Sequence, residues 1–267
     1  MKLGIAIFPL LVLAAAAAEE ANSYKVPAIP DGEARKLKVR YEDPRFNDAY
    51  FANKPMNQRV LHEEAASMID TVARFRGEGN NRQLIYTRNE VLHNHGLSTW
   101  VFTFAPADKL VMHTIEHTVK TPAGKQVRHE FFDLTDPIFH YPPDTFHPYV
   151  LEIFYRTLPL KVGYRNQCHL WLAPRSIMRV MISVEKVETM KTPAGEIECY
   201  CVQMTPSMED FLGKAGRMVQ PLVPKFTFWM AVKGTHPLVV YRGPLGEVNL
   251  GSAPIEIHEL MSISPPL

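Results

Sequence analysis

The sequence is short of cysteine, carries no surplus of either charge and has no second long apolar run; each shortage removes a class of protein. Only Cys168, Cys199 and Cys201 are present, too few for a disulfide-dense scaffold. Lys and Arg number 29 against 28 Asp and Glu, a formal charge of +1. Such a balance offers no field to recruit nucleic acid or anionic lipid. Beyond the first eighteen residues no apolar segment is long enough to span a bilayer as a helix. A G-x-S-x-G elbow, a Walker loop and a dinucleotide glycine fingerprint are also missing, so the sequence suggests no nucleotide and no cofactor.

What is present begins with an address. Lys2 precedes an apolar run over 3–13 and a small-residue tract over 14–18 that stops at Glu19. This is the layout of a secretory signal peptide, with Ala16 and Ala18 as the small residues before the cut. Residues 1–18 are therefore read as a leader and 19–267 as one β-rich domain. The expected location is periplasmic or secreted. No cysteine stands at the new terminus for lipid attachment, and no transmembrane anchor remains after cleavage.

Residues 19–34 are polar and broken by Pro27, Pro30 and Gly32, an extended lead-in. Arg35, Lys36, Lys38 and Arg40 lie among acidic neighbours and read as a solvated strand face. Leu61, Ala65, Met68, Val72 and Phe75 recur at helical spacing, which predicts an amphipathic helix ending before Gly77. Period-two alternation then takes over. Segments 84–92 and 97–104 flank Asn94-His95-Gly96, and 110–119 and 126–134 flank Thr121-Pro122-Ala123-Gly124, giving two hairpins. The pentapeptide Lys-Thr-Pro-Ala-Gly occurs at 120–124 and again at 191–195, where 180–187 and 197–204 flank it. A proline-rich crossing over 137–148 leads to a short helix starting at Pro148. An irregular stretch at 207–224 precedes strands at 225–232, 238–241, 247–250 and 255–261. The fold class is mostly β, an extended curved antiparallel sheet or half-barrel with one or two short helices.

Several groups of residues carry chemistry worth weighing. His113, Glu116 and His117 fit the H-x-x-E-H string of zinc peptidases, but that chemistry needs a helix to bring both imidazoles to one face. On the strand read here, Glu116 faces away from both histidines. Ser98, Ser176, Ser183 and Ser252 lack a recognisable nucleophile setting, and His93 and His95 share a strand face at most as a surface metal pair. Trp100, Phe102, Phe104, Phe228 and Trp229 alternate along strands. Core packing accounts for most such aromatics, yet a curved sheet closed by a helix leaves room for an apolar ligand among them. Cys199 and Cys201 sit at i and i+2, facing the same way, so a disulfide would join Cys168 to Cys199 or Cys201; three buried thiols are the alternative.

The second half resembles a known family. Leu158-Pro159-Leu160 leading into strands, Val184 to Val187 before Thr192-Pro193-Ala194-Gly195-Glu196-Ile197-Glu198-Cys199, and Phe228-Trp229 before Pro237-Leu238-Val239-Val240-Tyr241 are similar to the bacterial exported family known as domain of unknown function 3108. Asp31-Gly32-Glu33 fits its lead-in, so the resemblance covers roughly 30–260. It implies an extended antiparallel sheet in the bacterial envelope, similar to the half-barrels of lipoprotein carriers, and supplies no catalytic residues. The expectation is a non-enzymatic envelope protein binding an apolar small molecule, a lipid or an envelope protein through its curved sheet. The alternatives are a metal-dependent hydrolase using His113, Glu116 and His117, and a structural assembly component.

Overall fold

A computed structural model describes residues 29–43, 66–244 apart from 108, 139, 175 and 224, and 255–265. The leader at 1–18, most of the lead-in, residues 61–65 and the strand expected at 247–250 lie outside the described residues. The first half runs as a meander: β1 (Glu33–Tyr41), β2 (Ala66–Arg76), β3 (Gln83–Leu92), β4 (Leu97–Phe104), β5 (Met112–Lys120) and β6 (Gln126–Asp133). The chain then crosses over residues 134–164, forming β7 (Thr145–Phe146), a 3-10 turn at Pro148–Val150 and α1 (Leu151–Tyr155). A second meander follows: β8 (Arg165–Ala173), β9 (Ser176–Thr192), β10 (Gly195–Pro206), β11 (Phe226–Ala231), β12 (Leu238–Pro244) and β13 (Ile255–Ser264). Two one-turn helices, α2 (Glu209–Leu212) and α3 (Gly216–Val219), sit between β10 and β11.

Among the described residues these strands form a single sheet of 13, in the order β6-β5-β4-β3-β2-β1-β13-β12-β11-β10-β9-β8-β7. The two meanders join where β1 pairs with β13, and every neighbouring pair is antiparallel except β7 with β8. The sheet class expected from the sequence is the one found. The predicted hairpins are β3–β4, β5–β6 and β9–β10. Both Lys-Thr-Pro-Ala-Gly segments carry the hairpin turns, and their glycines hold positive φ, +79° at Gly124 and +114° at Gly195, where a side chain would be strained.

Two expectations are corrected. Residues 66–76 form β2, with Ile69, Thr71 and Ala73 buried in alternation, whereas Met68, Val72 and Phe75 of the proposed helical stripe are only half-buried. Ile69, Thr71 and Val72 are β-branched and suit a pleated strand better than a helix. Arg35 does not belong to a solvated face: alternation along β1 turns Glu33, Arg35, Leu37 and Val39 inward and leaves Lys36, Lys38 and Arg40 exposed.

The crossing segment fills the inside of the sheet. All five residues of α1 are buried. Phe146 stacks on Phe154 at 4.6 Å, and Tyr155 meets Phe228 edge-on at 4.9 Å. Each such aromatic contributes about 1.5–3 kcal/mol by leaving water. Charge fixes α1 as well: Glu152 takes both guanidinium nitrogens of Arg35 and the Tyr86 hydroxyl, while Arg156 forks onto Glu33.

Candidate functional site

The register of β3 to β6 places eight side chains in two rows on one face. One row runs Arg88, Trp100, His117, Glu130 across the four strands, because Arg88 pairs with Trp100, Trp100 with His117 and His117 with Glu130. The next runs Glu90, Ser98, Val119, Arg128 by the same pairings. Inward from these lies an apolar row of Tyr86, Phe102, Ile115 and Phe132. Alternation aims all three rows at the side covered by the crossing segment. Polarity therefore changes along the strands, from packed core to a mouth lined with ionisable groups.

At that mouth lies a cleft of about 360 Å³ lined by Glu90, Leu92, Ser98, Trp100, His117, Val119, Val127, Arg128 and Tyr149. A continuous set of hydrogen bonds runs along its floor. Ser98 Oγ lies 3.2 Å from His117 Nε2, and His117 Nδ1 lies 3.1 Å from Glu130 Oε2. Ser98 Oγ is also 3.2 Å from Glu90 Oε2, and Arg88 Nε donates to Glu90 Oε1 at 2.7 Å. Aromatic contacts hold the set in place: the His117 ring is stacked on Trp100 at 3.7 Å and 7°, and the Arg88 guanidinium lies 4.2 Å from the centre of the Tyr149 ring. Ser98 and His117 are each only 4% exposed, whereas the Glu130 side chain is 45% exposed.

Burial lowers the basicity of His117, with Arg128 acting in the same direction and the Glu130 bond opposing both. Behind it, His147 is tilted against Trp100 at 4.9 Å and accepts the Tyr149 N–H at 3.2 Å. Burial first, then the charges of Arg88 and His117, take His147 down to about 3, so it is neutral. The Tyr149 hydroxyl is pushed up, chiefly by the Glu90 charge and then by burial.

Of the five aromatics singled out in the sequence, the structure brings only Trp100 to the cleft. Phe102 and Phe104 are fully buried core residues, and Phe228 packs in the same core. Trp229 packs in a separate cluster and donates its indole N–H to Glu188 at 2.8 Å. The string His113, Glu116 and His117 lies on β5, not on a helix. Glu116 faces away from His117 and contacts His129 at 3.1 Å, and His113 stands at the bulge where β5 has no β4 partner. Four residues of strand also separate His113 from His117 by about 13 Å, too far for a shared ion. Among the described residues no group of three or more His, Cys, Asp or Glu is placed to hold a metal. Cys168, Cys199 and Cys201 are all free and buried. Cys168 lies in the main core and Cys199 in the separate cluster, with Cys201 two residues along the same strand face.

Glu130 and Glu90 are not singled out by the sequence, and Ser98 is set aside there for want of a local nucleophile setting. Their signal was register: once the two hairpins are drawn with their turns, Ser98 falls opposite Glu90 and His117 opposite Glu130.

Comparison with solved structures finds similar but distant folds. The β-barrel-like DUF1849 protein from Brucella abortus aligns at a TM-score of 0.43 and 9% identity, covering 90% of this chain and 98% of that one. The hypothetical lipoprotein YmcC from Escherichia coli aligns at 0.31 and 12%, covering 99% and 100%. The lipoprotein LppX of Mycobacterium tuberculosis aligns at 0.25 and 10%, covering 94% and 92%. No curated protein matches the sequence. No helix among the described residues is long and apolar enough to cross a membrane. Residues 122–245 match the family model described as protein of unknown function DUF3108, the family that the motifs of the second half resemble.

Proposed function

We propose that this chain is an exported envelope protein, one domain over 19–267 behind a leader at 1–18, that binds a small amphipathic molecule in the cleft between β3–β6 and Tyr149. One observation carries this reading. The inside of the sheet is packed with α1 and its neighbours, yet the cleft stays open and sets the Trp100 and Tyr149 rings beside Ser98, His117 and Arg128. A concave site with aromatic walls and a few convergent polar groups is the usual form of a small-molecule pocket. About 360 Å³ suits a compact ligand and not a long acyl chain. The aromatic expectation from sequence is thereby narrowed to Trp100.

Titration with 1-anilinonaphthalene-8-sulfonate tests the reading. Saturable binding at one site is expected, weakened about tenfold or more by Trp100→Ala, which corresponds to the loss of roughly 1.4 kcal/mol of contact. Absence of saturable binding, or binding that Trp100→Ala leaves untouched, rejects the cleft as the site.

A further inference from the structure

We propose that the cleft hydrolyses small carboxylic esters, with Ser98 as nucleophile, His117 as general base and Glu130 as the group that positions His117. The proposal rests on the reading of the cleft as a ligand site and adds a reaction to it.

The geometry is that of a nucleophile, a base and an orienting carboxylate in series. Ionised Glu130 only accepts hydrogen bonds, so the 3.1 Å contact requires the proton on His117 Nδ1. The Nε2 lone pair then faces Ser98 Oγ at 3.2 Å, ready to receive the hydroxyl proton. Stacking on Trp100 at 7° holds the imidazole plane. Three adjacent strands, β4, β5 and β6, each supply one member, so the spacing is set by sheet register and not by a mobile loop.

The remaining groups of the cleft fit the same scheme. Glu90 competes for the single Ser98 proton at 3.2 Å, and Arg88 offsets its charge at 2.7 Å. Backbone N–H groups inside β4 are committed to the sheet ladder, so the oxygen that gains charge in the transition state has to be met by a side chain. Arg128 lines the same cleft and supplies a cation for it.

In the reaction, Ser98 Oγ bonds to the ester carbonyl carbon while its proton passes to His117 Nε2 and the carbonyl π pair moves onto oxygen. Collapse re-forms the carbonyl, breaks the bond to the alcohol oxygen and returns the Nε2 proton to the departing alcohol. Water, deprotonated by the same nitrogen, then attacks the acyl-serine and releases the carboxylic acid and Ser98.

The test uses the full chain, a fluorophosphonate probe followed by intact mass, and p-nitrophenyl acetate turnover. One adduct per chain is expected, mapping to Ser98 and absent in Ser98→Ala. Turnover is expected to fall about 100-fold or more in Ser98→Ala and His117→Asn. Glu130→Gln lies on the exposed edge strand and provides a variant that tests positioning. Of the charges facing His117, namely Glu130, Glu90, Arg88, Arg128 and any charge on His147, it removes the one that raises His117 most, so the midpoint of the rate profile should move to lower pH. Retained 1-anilinonaphthalene-8-sulfonate binding with no adduct overturns the chemistry and leaves the ligand site standing. Loss of both in wild type overturns both. An adduct or turnover that persists in folded Ser98→Ala also overturns the proposal, because the reacting group then lies elsewhere.

Discussion

Phe132 and Trp171 meet at 5.0 Å between ring centres, tilted by 58°, although β6 is the first strand of the 13-stranded order and β8 the last but one. The sheet is bent nearly closed, and side chains complete what backbone pairing does not. Trp171 also donates its indole N–H to the Tyr141 hydroxyl at 3.1 Å, so the crossing segment is bound into the same seam. Trp171 is 4% exposed and Phe132 is half-buried. Trp171→Ala should therefore cost about 3–5 kcal/mol, and Phe132→Ala distinctly less. Urea unfolding measures both; equal small losses would show that the seam does not hold the ends together.

A second anchor lies inside. Arg35 and Glu152 form a buried fork that ties β1 to α1, and Arg156 does the same with Glu33. The Arg35 charge, with the Arg156 charge and the Tyr86 bond behind it, holds the Glu152 carboxyl below its usual range against the opposing effect of burial. Removing one partner strands the other in a dry interior. Arg35→Met is expected to lose about 3–5 kcal/mol, and Arg35→Met with Glu152→Leu to regain a good part of it. The exposed Arg40–Glu259 pair, at 2.8 Å, is the control, worth about 0–1 kcal/mol. Arg35→Met unfolding at the same urea concentration as Arg40→Met would contradict the distinction.

These two anchors mark where sequence reading stopped. Alternation and turn chemistry were enough to find β3 to β6 and the β9–β10 hairpin, because each is a local signal. That Arg35 is buried depends on Glu152, 117 positions away, and no local pattern announces such a partner. The stretch 61–75 misled for another reason: Met68, Val72 and Phe75 recur at helical spacing by coincidence, while Ile69, Thr71 and Ala73 carry the strand's buried face. His117 stands out in the sequence beside His113 and Glu116, which share its strand. Its hydrogen-bond partners, Ser98 and Glu130, share its row across strands.

The three cysteines give a prediction opposite to a disulfide. All are free and buried. Burial, with the Glu188 charge behind it, takes the Cys199 thiol up to about 12; burial also raises Cys201 and takes Cys168 well above its ordinary range. Thiolate is the reactive form, so none of them should react with Ellman's reagent at pH 8 in the native protein. All three should react once the chain is unfolded without reductant. Fewer than three after unfolding would reveal a bridge that the structure lacks.

Acid should weaken the fold at an identifiable residue. His147 is held neutral with a value of about 3 in the folded protein, against about 6.5 in the unfolded chain. Below pH ~6.5 the unfolded chain takes up a proton that the native state refuses, so stability is full above that value and falls by about 1.4 kcal/mol per pH unit on the way down. Protonation at Nδ1 would also break the bond accepted from the Tyr149 N–H and bring a cation against Arg88. His147→Phe removes this contribution and keeps a ring beside Trp100 and Phe102. Carboxylates such as Glu152 add to acid sensitivity in both proteins, so the difference between their slopes belongs to His147. Urea unfolding from pH 7 to pH 4 is expected to give a shallower slope in His147→Phe, and an NMR titration of the native protein no change at His147 over that range. Parallel slopes, or a His147 resonance that titrates near pH 6, would mean that the ring is hydrated and the aromatic packing behind the cleft is open.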